Sequence, residues 1–275
     1  MRRLATIALL LPAAMLLLVI FVMPLLRLFA LSLSAEAGPL SAYAHLLGDE
    51  VYRRVFVNTV VIAVATTAIS VVVSYPLAMA LVRLSSGWRA LMFGCILLPL
   101  WISVLVRTFS WLLLLERNGP INRSLVATGV VATPVEVLFT PTAVVIGMVH
   151  VLMPYAILPI YAALVRIDPA LLRASDGLGA SRLTTFLRIL LPLSARGVMT
   201  AATFVFLLSF GFFITPAVLG GAKSTNLAML IDNFVNEQLV WPLAAAASMI
   251  LLAACLVTLA AIGRAIPVRG LVEAR

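Results

Sequence analysis

The sequence predicts an all-α membrane protein with six spanning helices. Three observations carry that prediction. First, apolar residues fill 64% of the 275 positions and charged residues 11%, against roughly 45–50% and ~25% in ordinary soluble domains. About a quarter of the unfolded surface of a soluble protein this size stays wet after folding, so only lipid can cover the excess. Second, apolar runs reach spanning length: from Val55 to Tyr75 only Asn58, threonines and serines interrupt. A strand barrel would instead alternate apolar and polar residues over about ten positions. Third, bases and acids separate between alternating loops, as the positive-inside rule requires.

A spanning helix takes about 20 residues, and six stretches qualify: Ala5–Leu28, Phe56–Val82, Ala90–Leu114, Leu138–Val165, Val198–Leu219 and Pro242–Ile262. The first follows Arg2-Arg3 and imitates a signal peptide. A signal core runs about 7–15 residues, whereas this one continues from Leu4 to Leu26, so an uncleaved first span is expected. Loops fall near 29–55, 83–89, 115–137, 166–197 and 220–241, with a tail from 263.

On one side lie Arg2, Arg3, Arg83, Arg89, Arg166, Arg173, Arg182, Arg188, Arg196, Arg264, Arg269 and Arg275, against Asp168, Asp176 and Glu273. The other side holds Arg27, Arg53, Arg54, Arg117, Arg123 and Lys223, against seven acids: Glu36, Asp49, Glu50, Glu116, Glu136, Asp232 and Glu237. Both termini are therefore expected in the cytoplasm. The net charge of +9 reads as orientation, not as nucleic-acid binding.

What the spans lack narrows the function. All ten acids are expected in loops, so no buried carboxylate relay of the kind common in ion-coupled carriers is present. Gly220-Gly221-Ala222-Lys223-Ser224 fails the phosphate-loop pattern: Ala precedes the Lys and the upstream Gly is missing. The energy for any transport is expected from another subunit. Cys95 and Cys255 lie in apolar runs without metal-ligand spacing. No catalytic cluster and no metal site is expected.

The loop 166–197 is the most informative stretch. Asp168 before Pro169 reads as an N-cap and first helical residue. Leu171, Ala174, Ser175 and Leu178 recur at helical spacing, and Gly177 and Gly179 end the helix. Ser181 caps a second helix through Leu190, and Pro192 closes it or kinks the start of the fifth span. Spacing alone leaves two readings of the first helix open: it lies on the membrane surface, or it docks into a groove on a soluble partner.

The loop resembles the cytoplasmic loop of the membrane subunits of bacterial ABC importers. Their pattern is Glu-Ala-Ala, three residues, Gly, then an apolar stretch ending in Leu-Pro. Here the matching residues are Arg173, Ala174, Ser175, Gly179, Leu191 and Pro192. Arg173 stands where the family has Glu, and Ser175 where it has the second Ala. Other stretches are similar to the spermidine/putrescine-type branch: Arg107-Thr108-Phe109-Ser110-Trp111, Asn118-Gly119-Pro120-Ile121-Asn122, Phe139-Thr140-Pro141-Thr142, Leu152-Met153-Pro154-Tyr155 with Leu158-Pro159, Gly220-Gly221-Ala222-Lys223, and Trp241-Pro242. The likeness is collinear over residues 50–262.

The resemblance implies a type I ABC importer permease fold in the bacterial inner membrane. It implies a first helix with outer loop (1–53), a five-helix core (54–262) containing the coupling loop 166–197, and a tail (263–275). It also implies a second permease, two copies of an ABC ATPase that hold ATP and Mg, and a periplasmic substrate-binding protein. No cofactor is implied in this chain. Pro169, Leu171, Arg173, Ala174, Ser175, Leu178 and Gly179 would couple to the ATPase. The cargo would be a polyamine or a related amine or amino-acid derivative. A stand-alone carrier driven by an ion gradient is the alternative.

The pathway rests on weaker patterns. Arg107 inside the third span would cost a few kcal/mol facing lipid, so it faces protein or water. It reads as an outer anchor bonded to a neighbouring helix, or as a solute contact. His150 reads as a packing residue. Trp101, Trp111, Tyr155, Phe210, Phe212 and Phe213 offer aromatic faces that attract ammonium groups. Asp232 and Glu237 on the outer side could meet a cationic solute or the binding protein.

Overall fold

The computed structural model describes residues 2–265, and side chains from 11 to 264 apart from 13 and 14. Among the described residues there are helices and no strands. In chain order they are α1 (Arg2–Ser32), α2 (Ser41–Gly48), α3 (Glu50–Arg83), α4 (Ser86–Trp101), α5 (Val104–Leu115), α6 (Pro120–Ala127), α7 (Pro141–Leu164), α8 (Pro169–Gly177), α9 (Arg182–Thr185), α10 (Leu191–Phe210), α11 (Ile214–Leu219), α12 (Leu227–Asn236) and α13 (Trp241–Ala265). A π-helical turn, Phe186–Leu190, joins α9 to α10. Five helices are long and apolar enough to span, or six when α4 and α5 count as one bent span.

The chain forms two compact units. Among the described residues, one comprises 2–54 with Leu227–Ala254; the other comprises Val55–Asn226 with 255–265.

The larger unit is built on α7. Thr140 accepts the Ala143 N–H and Pro141 opens the helix, so its first turn is capped from its own sequence. Its 24 residues cover about 36 Å at the helical rise, enough to cross a hydrocarbon core of ~30 Å. Val144, Met148, Val151, Leu152, Ile157 and Ile160 are buried along it. α10 packs along α7 at glycine distance: a Cβ on Gly197 would collide with the Ala163 Cβ and lie 2.7 Å from the Pro159 carbonyl. Small residues permit such close backbone approach where lipid supplies no hydrophobic drive between helices. α11 packs on α5 and α7, and a Cβ on Gly147 would meet Leu219 and Thr215 at 2.7 and 2.8 Å. The smaller unit is held by Tyr52, set edge-on to both His45 and Phe234, and by a Ser32–Tyr43 hydroxyl bond of 2.7 Å.

Four expectations need correction. The third span, Ala90–Leu114, is two helices: the chain bends by 101° where α4 ends at Trp101 and α5 starts at Val104. Pro99 in the last turn of α4 gives no N–H to the ladder, and Ile102 and Ser103 take extended ψ values of 137° and 135°. The fifth span, placed at Val198–Leu219, is helical from Arg182 to Phe210 instead and stops at Gly211. Ile214–Leu219 is a separate short helix; both pieces are apolar, so hydropathy merged them. Pro192 neither closes nor breaks the helix. The Leu191 N–H bonds the Phe186 carbonyl five residues back, and this π turn shifts the ladder just before the proline that has no N–H to give. Finally, the loops at 29–55, 115–137 and 220–241 contain α2, α6 and α12. Asp232 consequently sits in a helix, and Glu50 is the first residue of α3; Asp176 lies in α8, the helix expected after Asp168. The side chains of Arg2 and Arg3, and Arg269, Glu273 and Arg275 of the expected tail, lie outside the described residues.

Candidate functional site

The helix ends in the loop after α7 are capped by the loop's own residues. The Asp168 carboxylate accepts the Ala170 N–H at 2.8 Å, and Pro169 begins α8. At the other end Gly179 takes φ +73°. Its N–H reaches the Asp176 carbonyl at 3.0 Å, and the Ala180 N–H reaches the Ser175 carbonyl at 3.1 Å. These two bonds form a Schellman cap, which a left-handed glycine makes possible. A Cβ on Gly179 would touch nothing within 4 Å, so the backbone angle and not space calls for glycine. Ser181 then caps α9 by accepting the Thr184 N–H at 3.2 Å.

The two helices are pinned together. Ser175 Oγ and Thr185 Oγ1 lie 2.8 Å apart and both residues are buried. Ser175 is therefore turned inward and does not share an outward face with Leu171, Ala174 and Leu178. Leu172 packs against the core beside it. Leu171, Arg173, Ala174 and Leu178 are exposed, Leu178 to 87%. Arg173 makes no ion pair among the described residues. At the root of the loop an open cleft of about 650 Å³ is lined by Arg166, Asp168, Leu171, Arg196 and Thr200.

Within the spans, Trp111 and Arg107 lie by His150, and Tyr155 lies within electrostatic reach of Arg107. Arg107 is 7% exposed, and its Nε and Nη1 have no hydrogen-bond partner. Tyr155 and His150 are its neighbours within electrostatic reach. The expected anchoring bond to a neighbouring helix is absent among the described residues. Trp111 Nε1 donates to His150 Nδ1 at 3.1 Å, so His150 packs as expected and serves as an acceptor. Next to Arg107, Thr108 and Thr215 join α5 to α11 through hydroxyls 3.1 Å apart.

The other pathway candidates do not join this group. Trp101 stands at the α4–α5 bend, 91% exposed. Phe210 is 2% exposed, stacked on Phe206 and edge-on to Phe56; it is a core residue without an open face. Phe212 is half-buried, and its carbonyl accepts from Asn226. Asp232 belongs to the smaller unit and accepts from Asn236 at 2.7 Å. Cys95 and Cys255 are free thiols. No group of three His, Cys, Asp or Glu residues suited to a metal occurs among the described residues.

Sequence reasoning missed three polar clamps. Asn122 donates to the Glu116 and Val135 carbonyls at 3.1 and 3.0 Å and accepts the Val135 N–H at 2.9 Å, closing the hairpin after α5. Asn58 donates to the Lys223 carbonyl at 3.1 Å. Tyr75 and Ser194 share a buried bond of 2.7 Å between α3 and α10. The motif Asn118–Asn122 was a visible sign of the first; nothing local marked the other two.

Residues 70–267 match the family described as the binding-protein-dependent transport system inner membrane component. The chain is 35% identical over 216 residues to the spermidine/putrescine transport system permease protein PotB of Salmonella typhimurium, covering 77% of this chain and 74% of the relative. PotB of Escherichia coli is equally similar, with 77% of each chain covered. The inner membrane ABC transporter permease protein YdcU of Escherichia coli is 31% identical over 198 residues, 67% of this chain and 61% of that one. Among solved structures, a bacterial ABC transporter that imports the acidic polysaccharide alginate superposes with a TM-score of 0.77 at 18% identity, covering 96% of this chain and 95% of that one. That likeness establishes the all-α fold. The relatives are transport permeases, which places the ATPase in a separate subunit and decides against a stand-alone carrier. The chain belongs to the binding-protein-dependent transport system inner membrane component family of ABC importer permeases.

Proposed function

We propose that this permease pairs with a second, similar permease to move a small amine across the bacterial inner membrane: a polyamine such as spermidine or putrescine, or a related amine or amino-acid derivative. A periplasmic binding protein delivers the solute, and two ATPase copies holding ATP and Mg drive the cycle. The polyamine class is supported by the names of the relatives. A binding protein is supported by the alginate importer, solved in complex with its solute-bound periplasmic protein. The bias of bases toward the α8 side supports cytoplasmic termini.

The observation that carries the mechanism is the helix–glycine–helix geometry of 168–190. α8 is capped at both ends and presents Leu171, Arg173, Ala174 and Leu178 outward. These residues, with Pro169 setting the start and Gly179 the end, dock on the ATPase. Ser175 acts from within, through Thr185. Because α9 runs through the π turn into α10 without a break, a push on α8 reaches a spanning helix packed along α7. ATP binding closes the ATPases, displaces α8 and opens the pathway outward; hydrolysis resets it. Along the pathway, Trp101 and Tyr155 offer open aromatic faces to ammonium groups. Arg107, Trp111 and Phe212 are the pathway's further proposed contacts, and Asp232 would attract cations on its own.

The test is reconstitution of the permease pair with its ATPase in liposomes, with binding protein inside or outside as orientation demands. Labelled spermidine should accumulate only with ATP and binding protein. Uptake by this chain alone on an ion gradient would overturn the reading.

A further inference from the structure

The open cleft of about 650 Å³ at the root of the α8 loop lies between two spanning helices. α7 gives it Pro159, Ala162 and Ala163, and α10 gives it Leu193 and Gly197. These side chains are small or apolar, and the helices touch at Gly197, which is buried. Close backbone approach of this kind leaves a shallow slot between helices. The slot opens between two faces that no described residue covers. Leu158, Ala162 and Val165 are exposed at helical spacing along α7 and its C-cap, and Leu193, Arg196 and Thr200 along α10.

Two bases stand in the cleft, Arg166 just past the end of α7 and Arg196 in α10. Neither makes an ion pair among the described residues. Arg89, by contrast, is spent inside the fold: its Nε donates to the Leu81 carbonyl at 3.1 Å and its Nη2 to the Leu84 carbonyl at 2.7 Å. The acid in the cleft, Asp168, already accepts the Ala170 N–H at 2.8 Å. The Thr200 hydroxyl donates to the Arg196 carbonyl at 2.8 Å. Two arginines against one acid leave the cleft positive, and its other walls are apolar. A soluble anion would match the charge and leave the apolar walls wet. A phospholipid with a negative headgroup matches both, since guanidinium pairs with phosphate oxygens and an acyl chain covers alanine and leucine.

We infer that this cleft binds an anionic phospholipid, its phosphate held by Arg166 and Arg196 and an acyl chain lying against Ala162 and Leu193. The inference rests on the proposed function, which puts α8, and with it the cleft, at the cytoplasmic leaflet. Basic pockets between spanning helices on that side hold such headgroups. The bound lipid bridges α7 and α10 where the α8 loop meets the spans.

The experiment titrates the purified importer, ATPase included, with phosphatidylglycerol and counts bound lipid by native mass spectrometry. Phosphatidylcholine is the neutral reference. R166Q/R196Q should weaken phosphatidylglycerol binding about thirtyfold, since each base at an anionic surface is worth a factor of about five. R182Q/R188Q removes the same charge from the loop outside the cleft and should leave binding unchanged. A162W fills the slot, keeps both arginines, and should weaken binding as well. All five side chains are exposed, so thermal midpoints should match the wild type. Equal weakening in R182Q/R188Q, or unchanged binding in A162W, overturns the inference. So does unchanged binding in R166Q/R196Q; if the ATPase is lost from that variant instead, the cleft belongs to the ATPase. The proposed function fails separately. An impermeant maleimide that labels L178C from the outer face would refute it, whereas lipid binding is read without solute or ATP.

Discussion

The loop around α8 and the arginine pocket between α5 and α7 handle polar groups in opposite ways. In the loop, Asp168, Gly179 and Ser181 satisfy the helix ends, and Ser175 finds Thr185. In the pocket, Arg107 brings a guanidinium into a spanning segment, and two of its nitrogens find no partner. The helix ends of the loop are finished by its own chain, which suits the proposed lever, since a capped helix transmits a push without deforming. The pocket is not finished, which is what a segment serving a moving solute or a changing conformation would show. A buried group without partners costs stability, so substitution of Arg107 separates a stabilising role from a transport one.

The largest effect should come from the loop. Gly179→Val forces a β-branched residue to φ +73°, where non-glycine residues lose about 1–2 kcal/mol and β-branched ones fit worst. ATP-driven uptake should fall at least tenfold while the permease still reaches the membrane at normal levels. Because a Cβ there meets no neighbour, Gly179→Asn should keep most of the uptake, since Asn tolerates the left-handed region. If Val and Asn behave alike, backbone strain is not the cause. Gly197→Leu should act differently, by prising α10 off Ala163 and Pro159. Overpacking of this kind costs about 1–3 kcal/mol or more, and should show as loss of folded protein in a detergent thermal-shift assay.

The pocket should answer in the reverse sense. Arg107→Met removes a buried, unpaired charge and keeps an unbranched side chain. The thermal midpoint should hold or rise, because replacing poorly compensated buried charge with apolar atoms is often neutral or stabilising. Uptake should fall several-fold. A variant that loses stability and uptake together would make Arg107 a structural anchor and erase the contrast with the loop.

This contrast also explains what could be read from the sequence. Apolar runs long enough to span, and the Asp168-Pro169 and Gly179 punctuation, are local rules, so five spans and the boundaries of α8 were legible. The 101° bend after Trp101 was not, because apolar residues continue on both sides and hydropathy is blind to direction. The true end of α10 at Phe210 was hidden the same way, since the residues of α11 are as apolar as those of the helix before it. The α12 helix escaped notice because a short amphipathic stretch inside a loop carries no spanning signal. Spacing put Ser175 on one face with Leu171, Ala174 and Leu178, and the resemblance made that face the docking one. The inward turn of Ser175 depends on Thr185, ten residues on, and a contact across two helices leaves no trace in a helical repeat. Phe210 failed as a pathway residue for a similar reason: an aromatic in a span packs or opens according to Phe56 and Phe206, not according to its own identity.

The smallest effect tests whether the lever is one piece. Ser175→Ala leaves the Thr185 hydroxyl still able to bond the Ser181 carbonyl, 3.2 Å away, so the loss should be near the low end of about 0.5–1.5 kcal/mol for a hydrogen bond. Thr185→Val removes both bonds and costs more. The double variant should cost less than the sum, because the second substitution finds the shared bond already gone. Thermal midpoints of the four proteins measure that coupling directly. The same four, assayed for ATP hydrolysed per solute moved, read the lever: a loosened α8–α9 joint should waste ATP in proportion to the coupling energy lost. If stoichiometry is untouched while the midpoints show coupling, the Ser175–Thr185 bond stabilises the loop but carries no force, and α8 must push α10 through Leu172 and the apolar contacts alone.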